Sequence, residues 1–190
     1  MGRRVDVLQL AVLGVLLESP AHGYELRKRL NARIGVFRTL SYGTLYPTLK
    51  ALVARGWITE VDREPGEAPP APLTGRRART VYQVTAAGKD HFETLMAAPG
   101  PDAWEDDAFD VHFAFFARTD AATRLRILEG RRVRLQERRE VARQAVARTR
   151  ERRDSYTLEL QRHGLESVER EVRWLDELIR NERTNDTLGE

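Results

Sequence analysis

The chain has no cysteine. That excludes disulfides, thiol nucleophiles and every zinc site built on thiolates. Its four histidines (His22, His91, His112 and His163) are scattered, with no HxH or HxxxH pair, so no metal site is expected. Lysine is scarce, with three residues against 29 arginines. Long apolar runs are absent too. The longest, Leu10 to Leu17, is far too short to span a bilayer, and the basic start Met1 to Arg4 leads into an amphipathic helical pattern, not a cleavage site. A soluble cytoplasmic chain with no membrane partner is expected. No glycine-rich phosphate cradle, nucleophile elbow or suitably placed carboxylate pair occurs, so the chain is not expected to be an enzyme, and no cofactor is implied.

What is present is a globular composition, 41% hydrophobic and 32% charged over 190 residues, enough for one medium domain or two small ones. The net charge of +3 hides an asymmetry. Residues 1–95 carry 14 basic and 9 acidic residues, a net of +5, and residues 96–190 carry 18 and 20, a net of −2. A basic first half on a mildly acidic second half points to a polyanion-binding head on a body that pairs with something else. An ordinary arginine-rich surface would give the same sums.

Three helices are predicted first. Val5–Leu17 carries Leu8, Val12 and Leu16 at helical spacing. Tyr24–Ile34 sets Leu26, Leu30 and Ile34 opposite Arg27, Lys28, Arg29 and Arg33. The third begins near Ser41, a good N-cap residue, with a stripe of Leu45, Leu49, Leu52 and Val53 and a stop at Gly56. Trp57–Val61 and Thr80–Val84 read as strands joined by a long proline-rich loop, and Thr85 caps a helix over Ala86–Met96. The breakers Ala97 to Pro101 mark a boundary, which divides the chain into residues 1–96, a linker over 97–103 and residues 104–190.

Beyond the boundary an aromatic helix is predicted over Trp104–Arg118. Asp120 caps a long helix expected to reach His163 before Gly164. Its seam is a heptad: Leu125, Leu128, Arg132, Leu135, Arg139, Ala142, Val146, Thr149, Arg153, Tyr156, Leu160. A last helix, Leu165–Arg183, offers Val168, Val172, Leu175 and Ile179. The first of these two is about twice the second by this reading. Its excess stripe therefore argues for a second subunit, and its arginines for carboxylate partners.

The fold class expected is mainly α with a small β-hairpin wing. An N-terminal winged helix-turn-helix precedes a C-terminal antiparallel helical, coiled-coil dimerisation domain. In such a head the third helix fits the major groove of duplex DNA. Here it offers Ser41, Tyr42, Gly43, Thr44, Tyr46, Thr48 and Lys50, where hydroxyls suit phosphate oxygens and glycine permits close approach. Tyr24 is a candidate phosphate contact from the second helix, and Arg76, Arg77 and Arg79 from the wing. Each has a structural alternative: packing tyrosines, or a solvated arginine cluster. Pro47 falls where a helix interior would lose a hydrogen bond, unless the helix starts near Gly43 or Thr44.

Several segments together resemble the PadR family of transcriptional regulators: Leu13-Gly14, His22-Gly23-Tyr24-Glu25-Leu26, Gly43-Thr44-Leu45-Tyr46-Pro47-Thr48-Leu49, Leu52, Gly56 and Tyr82-Gln83-Val84-Thr85-Ala86-Ala87-Gly88. The likeness covers most of residues 5–95 and shares the proline at position 47. The second half is similar in layout to the longer helical domain of one PadR subfamily. The resemblance implies a homodimeric winged-helix repressor of its own or a neighbouring gene. It also implies a partly palindromic double-stranded operator, and release by a small phenolic or drug-like effector. The proline-rich wing loop is longer than the family pattern.

Trp104, Phe109, His112, Phe113, Phe116 and Trp174 are candidate effector contacts, with His112 as the polar handle, although such aromatics are more often core or dimer interface. The competing function is a protein–protein adaptor that docks through the winged helix and uses the coiled coil as scaffold. An acidic third helix would favour it, and Lys50 and Arg55 speak against it.

Overall fold

The computed structural model describes residues 2–34, 42–62, 80–97, 100–151 and 155–188. Ten helices and strands follow in the order α1 (Gly2–Leu16), β1 (Ala21–His22), α2 (Gly23–Ile34), α3 (Tyr42–Ala54), β2 (Ile58–Asp62), β3 (Thr80–Val84), α4 (Ala86–Met96), α5 (Asp106–Ala114), α6 (Ala121–Glu151) and α7 (Ser155–Leu188). The described part is mainly helical with one small antiparallel sheet, in agreement with the fold class expected from the sequence. No described helix is long and apolar enough to cross a membrane.

Packing divides the chain into two compact units, Met1–Ala98 with Asp106–Arg118, and Pro99–Glu105 with Thr119–Glu190. The expected linear boundary differs from this division at α5, which packs against α1 and α2. The reason is chemical. Val111 and Phe115 are buried in the same apolar cluster as Leu13 and Phe92, and Phe115 meets Phe92 edge-on at 5.7 Å.

In the first unit, α1 packs against α2, α3, α4, α5 and β3. Leu10, Ala11, Val12, Leu13, Val15 and Leu16 are all buried, so the end of α1 is enclosed on every side and not along one stripe alone. The sheet has the order β1-β3-β2. Ile58 faces Val84 and Asp62 faces Thr80, the antiparallel hairpin expected. Strand β1 was not expected. Ala21 pairs with Tyr82, His22 with Val81, and the His22 Nδ1 lies 3.1 Å from the Thr80 carbonyl. Two residues are too few for alternation to signal a strand.

The joint between hairpin and α4 explains the Thr85-Ala86-Ala87-Gly88 run. The Thr85 hydroxyl accepts the Gly88 N–H at 3.1 Å and donates to the Gly56 carbonyl at 2.7 Å. The Thr85 N–H donates to Trp57 O. A Cβ at Gly88 would run into that same Trp57 carbonyl, so only glycine fits. Gly56 turns the chain out of α3 at φ 70°.

The second unit is an antiparallel helical hairpin of near-equal arms, 31 residues in α6 and 34 in α7. Here the sequence expectation is corrected. Gly164 does not end a helix but lies inside α7, and Tyr156 and Leu160 are exposed residues of α7, not part of the α6 seam. A helical glycine costs about 1 kcal/mol relative to alanine, which a long arm tolerates. The overlooked signal is Asp154-Ser155, two residue types that favour helix starts. The argument from an overlong first arm therefore falls.

The rest of the heptad fits: Leu128, Leu135, Val146 and Thr149 are buried, and so are Val172, Leu175 and Ile179 opposite. Ion pairs lace the arms. They join Arg124 to Glu182 at 2.8 Å, Arg131 to Glu171 at 2.7 Å, Arg132 to Asp176 at 3.3 Å and Arg143 to Glu169 at 3.0 Å. Of the three arginines expected to pair, Arg132 does. The Arg139 Nε is buried with no partner among the described residues, and Arg153 lies outside them. Asp120 caps α6 as expected, accepting the Thr123 N–H at 2.8 Å, and that bond holds its carboxyl below the usual range. Trp104, expected to open the aromatic helix, instead ends a 3-10 turn over Pro101–Trp104. Its ring lies against Gly130, and its carbonyl accepts from Arg131 at 3.1 Å.

Candidate nucleic-acid interface

Helix α3 has two faces. Leu45, Thr48, Leu49 and Leu52 are buried, and Thr44, Pro47, Lys50 and Ala54 are exposed at steps of three, three and four. The second set forms one outward strip with half-buried Ala51 beside it. The buried stripe predicted from leucine spacing is thus observed, and it fixes which side chains point away from the core.

Pro47 is the sixth residue of α3 and lies in its interior. The helix starts at Tyr42, too early to place the proline in the first turn. Its missing N–H leaves the Gly43 carbonyl without the usual donor four residues on. One residue further along, the Thr48 hydroxyl donates to the Thr44 carbonyl at 2.9 Å.

The candidate contacts separate on this frame. Thr44 and Lys50 belong to the outward strip. Thr48 is only 6% exposed and faces the core side. Tyr46 is half-buried, and its hydroxyl lies where a Cβ on Gly23 would approach within 3.0 Å, which accounts for the glycine after His22. Tyr24 is half-buried on α2. Tyr42 and Gly43 have a described backbone place in α3 but no described side-chain environment, and Ser41, Arg76, Arg77 and Arg79 lie outside the described residues.

Among neighbouring cations, Lys28 is exposed. Arg29 donates to Glu25 at 3.1 Å and to Ser19, while Arg33 pairs with Glu18 and sits over the Phe115 ring. Arg55 donates to Gln9 at 3.1 Å and covers Trp57, whose other partner is the stacked ring of His91 at 3.5 Å. The sequence reading missed Pro47 and Ala54 as outward residues. Continuing the helical spacing from Thr44 would have found both.

This half of the chain matches the transcriptional regulator PadR-like family over residues 12–94. A curated relative, the probable transcriptional regulator Rv1176c of Mycobacterium tuberculosis, is 28% identical over 89 residues, 47% of this chain and 43% of that protein. The match thus spans less than half of that relative's length. Solved structures similar to this chain include Bacillus subtilis PadR in complex with operator DNA, at 19% identity and TM-score 0.42, covering 93% of this chain and 99% of that one. Another is the putative transcriptional regulator TA0346 from Thermoplasma acidophilum, at 28% identity and TM-score 0.37, covering 47% and 75%.

The aromatic candidates do not form one set by packing. Phe109, His112, Phe113 and Phe116 belong to the first unit, and Trp104 and Trp174 to the hairpin unit. Phe109 and Phe113 stack at 5.8 Å, and Phe113 meets Phe116 at 5.1 Å. His112 is buried, its Nδ1 has no partner among the described residues, and burial pushes its pKa down to about 4. The imidazole is therefore neutral at pH 7. Among the described residues, no group of three or more His, Asp or Glu is placed to hold a metal ion.

Proposed function

We propose that this chain is a dimeric, sequence-specific DNA-binding transcriptional regulator that represses its own or a neighbouring gene and is released by a small aromatic or drug-like effector. One observation carries the reading: within a PadR-like unit, α3 turns a narrow strip of Thr44, Pro47, Lys50 and Ala54 outward while its other face is locked into the core. A helix held that way suits the major groove. Lys50 and Lys28 supply phosphate attraction, with the wing arginines adding to it. Two such heads, joined through the hairpin units, would address half-sites about 34 Å apart. Exposed Val133, Val141, Tyr156 and Leu160 on α6 and α7 support a surface for a second copy.

The effector would be an aromatic acid or phenol taken up beside Phe109, Phe113 and Phe116. A neutral His112, with a nitrogen that has no partner among the described residues, would serve as its hydrogen-bonding handle.

Footprinting on the DNA upstream of the gene tests the reading. A protected palindrome is expected, with affinity falling steeply as salt rises. The Tyr42→Ala/Thr44→Ala/Lys50→Ala variant should lose it. Retained operator affinity in that variant removes the groove assignment, and a solution mass of one chain at working concentration removes the dimer. A phenolic compound that raises the melting point of the protein but not of His112→Phe would support the effector site.

A further inference from the structure

We infer that α3 reads its operator chiefly through thymine methyl groups, with Pro47 as the central contact. The inference rests on the DNA-binding reading above and specifies what that site recognises.

Side chains that read bases by hydrogen bonds are few in kind: arginine or lysine for guanine, asparagine or glutamine for adenine, a carboxylate for cytosine, and serine or threonine with less discrimination. Between Tyr42 and Ala54 there is no Arg, Asn, Gln, Asp or Glu. The outward strip holds one lysine, one threonine, one proline and one alanine, with Ala51 at its margin. Apart from Lys50 and the Thr44 hydroxyl, that surface is hydrocarbon. The C5-methyl of thymine is the apolar feature of the major groove, and small apolar side chains are its usual partners.

Pro47 sharpens the inference. A proline inside a helix costs about 3 kcal/mol. It is exposed, so burial in this chain offsets little of that cost. A residue that breaks a local rule without helping the fold points to function. Its ring is rigid, so little freedom is lost when it is pressed against a base edge. Thr44 and Ala54 lie ten residues apart, about 15 Å along the helix. That reach covers roughly four base pairs at 3.4 Å each.

The test uses the full-length protein and a random duplex library. Selected sequences define a half-site, which is then remade with deoxyuridine replacing thymine one position at a time. Uracil keeps the Watson–Crick groups and lacks only the methyl. Two or three thymines per half-site should each lose about fourfold in affinity on replacement, the worth of one buried methyl. In Pro47→Ala, which regains the helical N–H and should fold as judged by circular dichroism, one of those penalties should vanish.

A half-site without thymine, or equal affinity for the thymine and uracil duplexes, overturns the inference and leaves DNA binding intact. Failure to select any sequence overturns the DNA-binding reading itself, and this inference with it.

Discussion

The two units of the chain are stabilised by different chemistry. In the first, eight short elements converge on an apolar cluster running from Leu8 to Phe115, and the buried polar side chains among the described residues of that unit are few: Gln9, Thr48 and His112. In the second, two helices meet along a thin seam of Leu128, Leu135, Val146, Val172, Leu175 and Ile179, flanked by arginine–carboxylate pairs. Burial without direction fixes the core face of α3 through Leu45, Leu49 and Leu52. Charge pairs add little energy each but fix register between two long arms. The first unit should respond to lost volume and to acid, the second to lost partners and to salt.

The largest effect is expected from Leu45→Ala, which empties a fully buried position on the core face of α3. Chemical denaturation should show the first unit weakened by about 3 kcal/mol. A similar loss in the hairpin's transition would break the distinction between the units.

Acid should come next. The unfolded chain protonates His112 near its ordinary pKa of about 6.5, while the folded chain resists until about pH 4. The unfolded state therefore binds more protons in this window, and stability falls as pH drops from about 6.5 to about 4, by a total of about 3 kcal/mol. His112→Phe should flatten that slope in melting curves taken across the window.

Glu171→Ala strands Arg131, whose side chain is 6% exposed. The hairpin should lose about 2 kcal/mol, less than a sealed pair would, because Glu171 is a third exposed and the Trp104 carbonyl still accepts one arginine N–H. The smallest effect is reserved for Glu129→Gln, which breaks a surface pair with Arg183. A change below about 1 kcal/mol, vanishing at high salt, is expected in the same melts. Equal losses from the two glutamate variants would show that burial of the arginine is not what matters.

Much of the first unit was legible because its signals are local. Leucines at steps of three and four gave the buried face of α3, threonine at position 85 gave a cap, and β-branched runs gave the hairpin. Strand β1 was hidden because it forms only when β3 arrives, 58 residues later for the His22–Thr80 contact. The hairpin arms were misjudged because the heptad pattern passes through residues 152–154 without a breaker, while Gly164 looks like one. The candidate site was half legible. Residue type singled out Thr44, Thr48 and Lys50 alike; Thr44 and Lys50 lie on the outward strip, but Thr48 faces the core.

Local pattern was enough for the helical order, the PadR-like motifs, the caps at Thr85 and Asp120, and the heptad up to Thr149. All depend on neighbours within a few residues, where helix geometry and hydrogen-bond reach leave little choice. Long-range packing set the rest: α5 joins the first unit, Tyr46 meets Gly23, and one strip of α3 faces outward. Those outcomes depend on which distant surfaces exclude water together, and no local spacing specifies that.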